Sequence, residues 1–284
     1  MELHFTPKIQ KQLDVLQKIE SGPIYPYQLL TNLLYEPTGV CPEVLIYMIQ
    51  HLGKEKVFYF KESGDQLHEE EAAYNMGELT VSESMKVVLL EADNRRKRYN
   101  QSFITEGHVF HAMLTKDPIL AKLIPATIRE DILSFASVPR DMTVSLRHYK
   151  MPKVMLDEGI TLLRAALKDQ EELLRFISER FGDPWVKTIQ IALEKECPPL
   201  YIARDRGELI GFACYDSVRD QKGVYGPMGT SPQVRTKGVG YALLHTCLEE
   251  MKQKGYEYAI LGEAGPIEYY ERACGAKLIP IIDY

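Results

Sequence analysis

The chain has 284 residues, of which 45% are hydrophobic and 26% charged, and its net charge is −6. This length is enough for two ordinary domains, and the hydrophobic content excludes a disordered chain. A negative net charge argues against a nucleic-acid-binding protein, which would carry a basic excess to neutralise phosphates.

The five cysteines are scattered and form no Cys-x-x-Cys pair, so they indicate neither a disulfide framework nor a metal site. Reduced thiols are typical of a cytoplasmic protein. The first residues lack the profile of a signal peptide, and no apolar run approaches the roughly 18 residues of a membrane span. We therefore expect a cytoplasmic protein without a metal, with neither a membrane nor a nucleic acid as partner.

Short amphipathic helices are predicted in the first half of the chain. Apolar residues recur at helical spacing in three segments, residues 7–19, 29–34 and 43–52. The pattern then recurs: a helix is predicted to open at Leu79 and Thr80, with Thr80 matched to Thr6, and another helix follows Ile104. The polar segment 54–77 between the two repeats is predicted to be a solvated connector.

The duplicated unit resembles the amino-terminal domain of Clp ATPases. In that family, each repeat has an aliphatic residue and a histidine four residues later at its second helix. Ile104 and His108 occupy these places in repeat two, and Ile24 and Gln28 occupy them in repeat one. The resemblance covers roughly residues 3–133 and implies a domain that docks adaptors or substrate proteins without chemistry of its own. The alternative is a plain helical array.

The character of the sequence changes at residues 137–142, which we interpret as a linker between a helical domain over 1–136 and a second domain over 143–284. In the second domain, strand and helix patterns alternate, which predicts a mixed sheet with helices on its faces and an α+β fold overall. The elements expected are strands from 143, at 200–204, 209–215, near 224, at 256–261 and at 277–282, and helices over 156–181, 185–195, 239–254 and 267–274.

The most informative stretch runs over residues 226–244, where a glycine-rich loop leads into an amphipathic helix. Such a turn brings backbone N–H groups together at the positive end of the helix dipole. Arg235 and Lys237 add positive charge, so the loop is predicted to hold a diphosphate. Gly238 and Gly240 alone would fit a plain loop as well, and neither a Rossmann motif nor a P-loop is present.

The full pattern Arg235-x-x-Gly238-x-Gly240 resembles the coenzyme A pyrophosphate loop of the GNAT superfamily of N-acetyltransferases. The resemblance extends over residues 143–284 and implies the GNAT fold, an acyltransferase activity and acetyl-CoA as cosubstrate. It also implies that a splayed strand pairs with the pantetheine arm, while the loop and the first helical turn wrap the pyrophosphate. These cofactor contacts fall on Met228, Gly229, Thr230, Arg235, Thr236, Lys237, Gly238, Val239, Gly240 and Tyr241.

The same resemblance implies a catalytic role for Tyr270. The family's Phe-Tyr-x-x-x-Gly-Phe segment is matched by the stretch from Tyr269 to Gly275, which puts Tyr270 at the tyrosine that protonates the departing thiolate. A phenol is protonated at neutral pH and suits this role. Adjacent helical positions point about 100° apart, so at most one of the two tyrosines faces the cleft, and the alternative is a core aromatic pair.

The residue that removes the proton of the amine is left open. Glu263 and Glu268 are candidate bases, and the alternative is that both are ordinary exposed acids near a helix start. Cys214 and Cys274 lack a visible histidine or aspartate partner and are predicted to pack rather than to act as nucleophiles. We expect direct acetyl transfer through a ternary complex to an amine of a small molecule or a protein.

Two other functions fit the same sequence. An acyl-CoA-binding pseudoenzyme would keep the fold as a binding module, and the strand before the loop lacks the glutamate that some GNAT members use as base. A protease adaptor would instead recruit a partner protein through the helical domain. Turnover of amines separates the enzyme from the pseudoenzyme, and co-purification with a Clp-type ATPase would mark the adaptor.

Overall fold

A computed structural model describes residues 3–69, 72–218, 221–232 and 238–282. The chain divides into two compact units. The first unit comprises Met1–Pro139, Gly265–Glu268 and Pro280–Tyr284, and the second comprises Arg140–Ala264 and Tyr269–Ile279. Two short segments late in the chain therefore fold with the first unit.

The first unit is mainly helical. Its helices in the described residues are α1 (Pro7–Ile19), α2 (Pro26–Leu34), α3 (Cys41–Leu52), α4 (Lys54–Phe58), α5 (Phe60–Leu67), α6 (Glu83–Arg98), α7 (Glu106–Lys116), α8 (Pro118–Leu123) and α9 (Ala126–Ala136). An antiparallel pair, β1 (Tyr74–Met76) and β2 (Leu79–Val81), lies between α5 and α6. Most of these helices bury apolar side chains along one face, such as Ile9, Leu13 and Leu16 on α1.

Two isolated β-bridges in the first unit join segments that lead into helices. Phe5, before α1, pairs in parallel with Ile104, before α7. Ile24, before α2, pairs in parallel with Val81, before α6. The chain thus enters α1 beside α7, and it enters α2 beside α6.

Helices α2 and α7 begin with the same capping geometry. Gln28 Oε1 accepts a hydrogen bond from Tyr25 N at 2.8 Å, and His108 Nδ1 accepts one from Thr105 N at 3.1 Å. Each acceptor is the third residue of its helix and satisfies the N–H of its N-cap residue. Burial lowers the pKa of His108 to about 4, so the ring is neutral and can accept this bond.

The second repeat opens later than predicted. Thr80 lies in β2, and α6 begins at Glu83 after Ser82, whose Oγ accepts a hydrogen bond from Met85 N at 3.1 Å. The residue equivalent to Thr6 is therefore Ser82. The run Leu-Thr-Val that precedes Ser82 is typical of a strand, because β-branched residues fit a pleated surface.

The segment 54–77 is folded, and its prediction as a solvated connector is wrong. It contains α4, α5 and β1, and Phe60 is buried. At Gly64 an added Cβ would overlap the Tyr27 ring, and Tyr27 Oη donates a hydrogen bond to Asp65 Oδ1 at 2.7 Å. Helix α5 is therefore held by a close contact with Tyr27 that requires glycine at position 64, although most of the segment is polar.

The second unit is a mixed sheet with the strand order β4-β5-β6-β7-β8-β3-β9. The strands are β3 (Arg140–Ser145), β4 (Ile160–Arg164), β5 (Leu200–Asp205), β6 (Glu208–Tyr215), β7 (Val224–Thr230), β8 (Tyr258–Ala264) and β9 (Lys277–Leu278). All neighbouring strands are antiparallel except β7 and β8, which are parallel. The helices are α10 (Gln170–Phe181), α11 (Asp183–Leu193), α12 (Val239–Gln253) and α13 (Ile267–Cys274).

The helix predicted over 156–181 is wrong in its first half. Strand β4 lies there and follows Gly159, whose φ is +96°, while the helix α10 starts only at Gln170. Strand β4 is a short edge strand that leaves Leu163 exposed, so its leucines mimic a helical pattern. Strand β3 begins at Arg140, within the segment proposed as a linker, and β9 is shorter than predicted.

We expect Gly39→Ala to destabilise the first unit by roughly 1–3 kcal/mol. Gly39 has a φ of +67°, and an added Cβ would overlap the carboxyl group of buried Glu106. The control is Gly77→Ala, because Gly77 has a φ of +66° but a Cβ there meets nothing within 4 Å. Urea unfolding measures both losses. Equal losses would contradict a requirement for close approach at Gly39.

Candidate functional site

The parallel strands β7 and β8 separate part of the way along their length. Val224 pairs with Ile260 and Tyr225 pairs with Leu261, and these two fully described strands share no further register pair. Strand β7 continues to Thr230, and β8 also continues beyond its last pair. The two diverging ends leave a gap in the middle of the sheet, which we call the β7–β8 gap.

The residues at the start of the β7–β8 gap explain why pairing stops. Pro227 has no N–H and so cannot donate to a neighbouring strand. On the other side of β7, the register with β6 shifts between Ala213 and Tyr215. The intervening Cys214 donates a hydrogen bond from Sγ to Gly226 O at 2.9 Å. A proline and a bulge at the same level therefore turn β7 away from β8.

Beyond this point β7 is held on one edge only. Met228 pairs with Ala213, and Gly229 pairs with Phe212 of β6. Backbone N–H and C=O groups on the opposite edge need another partner. An extended ligand that contains amide groups can pair with such an edge as an added strand would. Three predicted cofactor residues, Met228, Gly229 and Thr230, lie on this segment.

The first turn of α12 lies next to this strand and has no side-chain cap. Gly238 is the N-cap residue and has a φ of +73°, a region that glycine adopts without steric cost. Because glycine has no side chain, no N-cap side chain occupies the N–H groups of the first turn. Ala242 N donates to Gly238 O at 2.9 Å, so α12 is regular from its start. These N–H groups and the helix dipole favour a phosphate.

The loop residues predicted to bind the pyrophosphate lie partly outside and partly inside the described residues. Arg235, Thr236 and Lys237 lie outside the described residues, so their contact with a pyrophosphate stays a prediction. Val239 is buried and can offer only its backbone to a ligand, whereas Gly240 and Tyr241 are partly exposed.

Met228 and Tyr269 lie together at the start of α12. A Cβ built on Gly240 would lie 3.5 Å from Tyr269 Oη and 3.8 Å from Met228 Sδ. Among the described residues, the buried Tyr269 hydroxyl has no hydrogen-bond partner. Buried hydroxyls are normally paired, so this one is available to a bound ligand. Burial also raises the pKa of Tyr269, which keeps the hydroxyl protonated at neutral pH.

Tyr270, the residue predicted as general acid, packs beside Tyr269 on α13. Its side chain is 8% exposed, and its ring lies edge-on to the Tyr269 ring with centroids 5.0 Å apart. Burial raises the pKa of Tyr270 and also that of Tyr225, to which Tyr270 and Tyr269 both contribute. The hydroxyl beside Gly240 at the start of α12 belongs to Tyr269.

An aromatic cluster that sequence reasoning missed covers the other face of β7. Phe181 stacks on Trp185 with ring centroids 5.1 Å apart, and both meet Phe212 edge to face. A Cβ on Gly229 would lie 2.5 Å from Phe181 Cζ. Gly229 thus lets the Phe181 ring reach the main chain of β7. The one sequence feature that indicates this contact is Gly229 itself, because a glycine within a strand often marks a close approach of another group.

The two candidate bases occupy different environments. Glu263 is exposed on β8 beyond its last pair with β7, and it has a φ of +49°. Its backbone N donates to Asp141 Oδ1 at 2.8 Å, within a register shift between β3 and β8. Glu268 is 8% exposed and its Oε1 accepts a hydrogen bond from Glu106 N, so the expectation that it is an exposed acid is wrong.

The cysteines are free in the structure, and two of them, Cys214 and Cys274, are those predicted to pack rather than to act as nucleophiles. Cys274 Sγ donates to Tyr270 O at 3.2 Å, and burial raises the pKa of Cys274 to about 11. Burial also raises the pKa of Cys214. Both groups are therefore thiols at neutral pH, which is the state of packing residues rather than nucleophiles.

The described part of the chain shows neither a metal-binding cluster nor a membrane-spanning helix. No group of three or more histidine, cysteine, aspartate or glutamate side chains could hold a metal ion there. No helix there is long and apolar enough to cross a membrane.

Residues 164–276 match the model of the Acetyltransferase (GNAT) family. This range runs from the end of β4 through α13 and contains the β7–β8 gap and the start of α12. The second unit thus contains a GNAT acetyltransferase domain, and the mixed sheet expected from the sequence is confirmed. No curated protein matches this chain.

Several solved structures are similar to this chain at low identity. One is a GCN5-related glucosamine N-acetyltransferase region of a fungal multi-domain GH3 β-N-acetylglucosaminidase, with 19% identity over 55% of this chain but 22% of that protein and a TM-score of 0.44. A GCN5-related N-acetyltransferase from Sphaerobacter thermophilus has 16% identity over 70% and 68% of the two chains and a TM-score of 0.42. AAC(6')-Iy, in complex with a bisubstrate analogue of CoA, has 17% identity over 44% and 96% and a TM-score of 0.36.

We expect acetyl-CoA at about 100 times its Kd to stabilise the protein by about 2.7 kcal/mol, and Gly240→Asp to lose most of this gain. The new carboxylate would stand at the first turn of α12, beside Met228 and Tyr269, where it repels a phosphate. Thermal unfolding with and without acetyl-CoA measures the gain.

The control for this variant is Gly240→Ala. Its Cβ would make only ordinary van der Waals contacts, so it should fold like the wild type and keep more of the stabilisation. Equal stabilisation of Gly240→Asp and the wild type would place the acetyl-CoA site elsewhere.

Proposed function

We propose that the protein is an acetyl-CoA-dependent N-acetyltransferase that transfers the acetyl group directly to an amine in a ternary complex. The observation that carries this proposal is the β7–β8 gap with the start of α12 beside it. An extended ligand with amide groups at one end and a diphosphate at the other matches both features. When bound, acetyl-CoA supplies the thioester whose acetyl group moves to the amine.

Two sets of residues would bind two different parts of acetyl-CoA. The main chain of Met228, Gly229 and Thr230 would pair with the pantetheine arm. The pyrophosphate would be held by the loop and first helical turn, comprising Arg235, Thr236, Lys237, Gly238, Val239, Gly240 and Tyr241. Backbone donors suit this role because they are fixed before the ligand arrives.

The adjacent tyrosines of α13 are the candidates for the proton donor to the departing sulfur. Tyr270 was assigned this role by resemblance, and that assignment stays a prediction. The contacts described above favour Tyr269, because its unpaired hydroxyl faces Gly240 and Met228. Burial raises the pKa of both hydroxyls, so each is protonated at neutral pH.

Glu263 is the better supported of the two candidate bases. It is exposed on the diverging end of β8, and its left-handed backbone conformation and the register shift with β3 set its direction. A bulge next to an active site commonly re-aims a side chain in this way. The carboxylate would take the proton of the incoming ammonium group, directly or through one water. The amine itself, of a small molecule or a protein, is not assigned.

We also propose that residues 1–136 form a repeat domain like the amino-terminal domain of Clp ATPases, linked through 137–142 to the acetyltransferase at 143–284. The exchanged bridges before α1, α2, α6 and α7 support the duplication. The matched capping of α2 by Gln28 and of α7 by His108 supports it as well. A protein would be the partner of this domain, and a cytoplasmic location belongs to the same proposal.

The direct test of the proposed function is turnover with a panel of amines that includes a polyamine, an aminoglycoside, an amino acid and a lysine peptide. The readout is the free thiol of coenzyme A that the reaction releases. Thiol release that depends on an amine supports the proposal. Binding of acetyl-CoA without thiol release in the presence of any of these amines contradicts it.

We expect Tyr269→Phe to lower kcat by roughly 10²–10⁴-fold while acetyl-CoA affinity and folding stay close to wild type, because only a positioned proton donor is removed. Tyr270→Phe is the matched control on the same helix and should have a much smaller effect. Steady-state kinetics separates kcat from KM for both variants. The opposite order of effects would return the role to Tyr270, and full activity of both variants would contradict a tyrosine acid.

A further inference from the structure

The connection between β3 and β4, residues 146–159, crosses the second unit, and we call it the crossover segment. In the strand order β4-β5-β6-β7-β8-β3-β9, four strands lie between β3 and β4, although these two follow one another in the chain. The crossover segment contains no helix or strand. Connections of more than about 12 residues without secondary structure are uncommon in compact domains and are often functional.

Contacts with α12 show where the crossover segment runs. Tyr149 Oη is hydrogen-bonded to His245 Nδ1, and Lys252 Nζ donates to Tyr149 O at 2.5 Å. Six residues later, Met155 O lies 3.6 Å from a Cβ built on Gly238, the N-cap residue of α12. The segment therefore runs along α12 toward its start, and Met155 lies beside the proposed pyrophosphate site.

The outer side of the crossover segment carries a lysine between two methionines. Met151 is 44% exposed and Met155 is 79% exposed, and Lys153 between them is exposed as well. The residues that alternate with them are less exposed: Pro152, Val154 and Leu156. Alternation with a period of two is typical of an extended chain with one side on the protein. Lys153 therefore lies on the solvent side, next to Met155.

Lys153 is close enough to the start of α12 for its ammonium group to reach a ligand there. The Cα atoms of Lys153 and Met155 are at most about 7 Å apart, because two residues separate them by no more than two extended steps. The lysine side chain adds a flexible four-carbon stem. Its ammonium group makes no ion pair with another residue that the structure describes. Lys150, in contrast, follows Tyr149 directly and lies near the middle of α12.

The acidic residues nearest in the chain lie beyond Met155. Asp157 and Glu158 belong to the turn that leads into β4, where Ile160 N donates to Asp157 O at 3.1 Å. Arg206 lies against the same turn, since a Cβ built on Gly159 would be 3.1 Å from Arg206 Cγ. This turn therefore has a cation beside its acids, and Lys153 lies before it on the α12 side.

We propose that Lys153 binds the 3′-phosphate of acetyl-CoA, so that the protein selects acetyl-CoA over analogues without this phosphate. The inference rests on the proposed function, which puts the diphosphate of acetyl-CoA at the start of α12. The 3′-phosphate is carried by the same ribose as the diphosphate, so it lies within one sugar of that site. A lysine beside a phosphate forms a charge-assisted hydrogen bond.

Calorimetric titration with acetyl-CoA and with 3′-dephospho-acetyl-CoA tests this role on the full chain without any amine. The two compounds differ only by the 3′-phosphate, so the ratio of their Kd values measures its contribution. We expect the wild type to bind acetyl-CoA about threefold to tenfold more tightly, as an exposed charge pair would give. Lys153→Gln should lose most of this preference, with an unchanged Kd for the dephospho compound.

Two variants of the crossover segment are the controls. Lys150→Gln removes the same charge near the middle of α12 and should keep the preference of the wild type. Lys153→Arg retains the positive charge at position 153 and should keep most of the preference. An increase in salt from about 0.05 M to about 0.5 M should reduce the preference of the wild type, because salt screens exposed charges.

Three results would overturn the role of Lys153. These are equal Kd values of the two compounds in the wild type, an undiminished preference in Lys153→Gln, and an equal loss of preference in Lys150→Gln. All three still include binding of acetyl-CoA, so they leave the proposed function in place. A wild type that binds neither compound would instead overturn the proposed function together with this inference.

Discussion

The proposed site depends on the early end of pairing between the parallel strands β7 and β8, after Tyr225 and Leu261. Main-chain groups inside a sheet cannot be left unpaired without a cost of about 1–3 kcal/mol each. A proline without an N–H and the bulge at Cys214 prevent β7 from closing onto β8. Strand β7 therefore has an unpaired main-chain edge in the middle of the sheet. The ligand proposed to bind in the β7–β8 gap must offer hydrogen-bonding groups as an added strand would.

Local chemistry was enough to predict the parts of the site that depend on neighbouring residues. The glycines at 238 and 240 predicted a helix start that could receive an anion, and α12 begins at Val239. The bounds of α13 also agree with its periodicity, because an amphipathic helix ends there before Gly275. The predictions for segment 54–77 and for strand β4 were wrong, because short apolar patterns fit more than one kind of element. Only tertiary packing decides between these elements.

Long-range contacts account for the rest of what the sequence could not predict. The need for glycine at 229 comes from Phe181, almost fifty residues earlier in the chain. The burial of Glu268 comes from Glu106 in the other half of the chain, whose N–H donates to the Glu268 carboxyl group. The phase of α13 decides which tyrosine hydroxyl faces Gly240, and the resemblance that favoured Tyr270 contains no information on that rotation.

Hydrogen–deuterium exchange with and without acetyl-CoA tests the β7–β8 gap most directly, because it reports on the backbone N–H groups that the ligand is proposed to pair with. The account requires slower exchange in peptides that cover residues 226–230 and the first turn of α12, with no change in α1 to α3. Exchange in 226–230 that is unaffected by saturating acetyl-CoA would contradict the claim that this strand edge binds the cosubstrate.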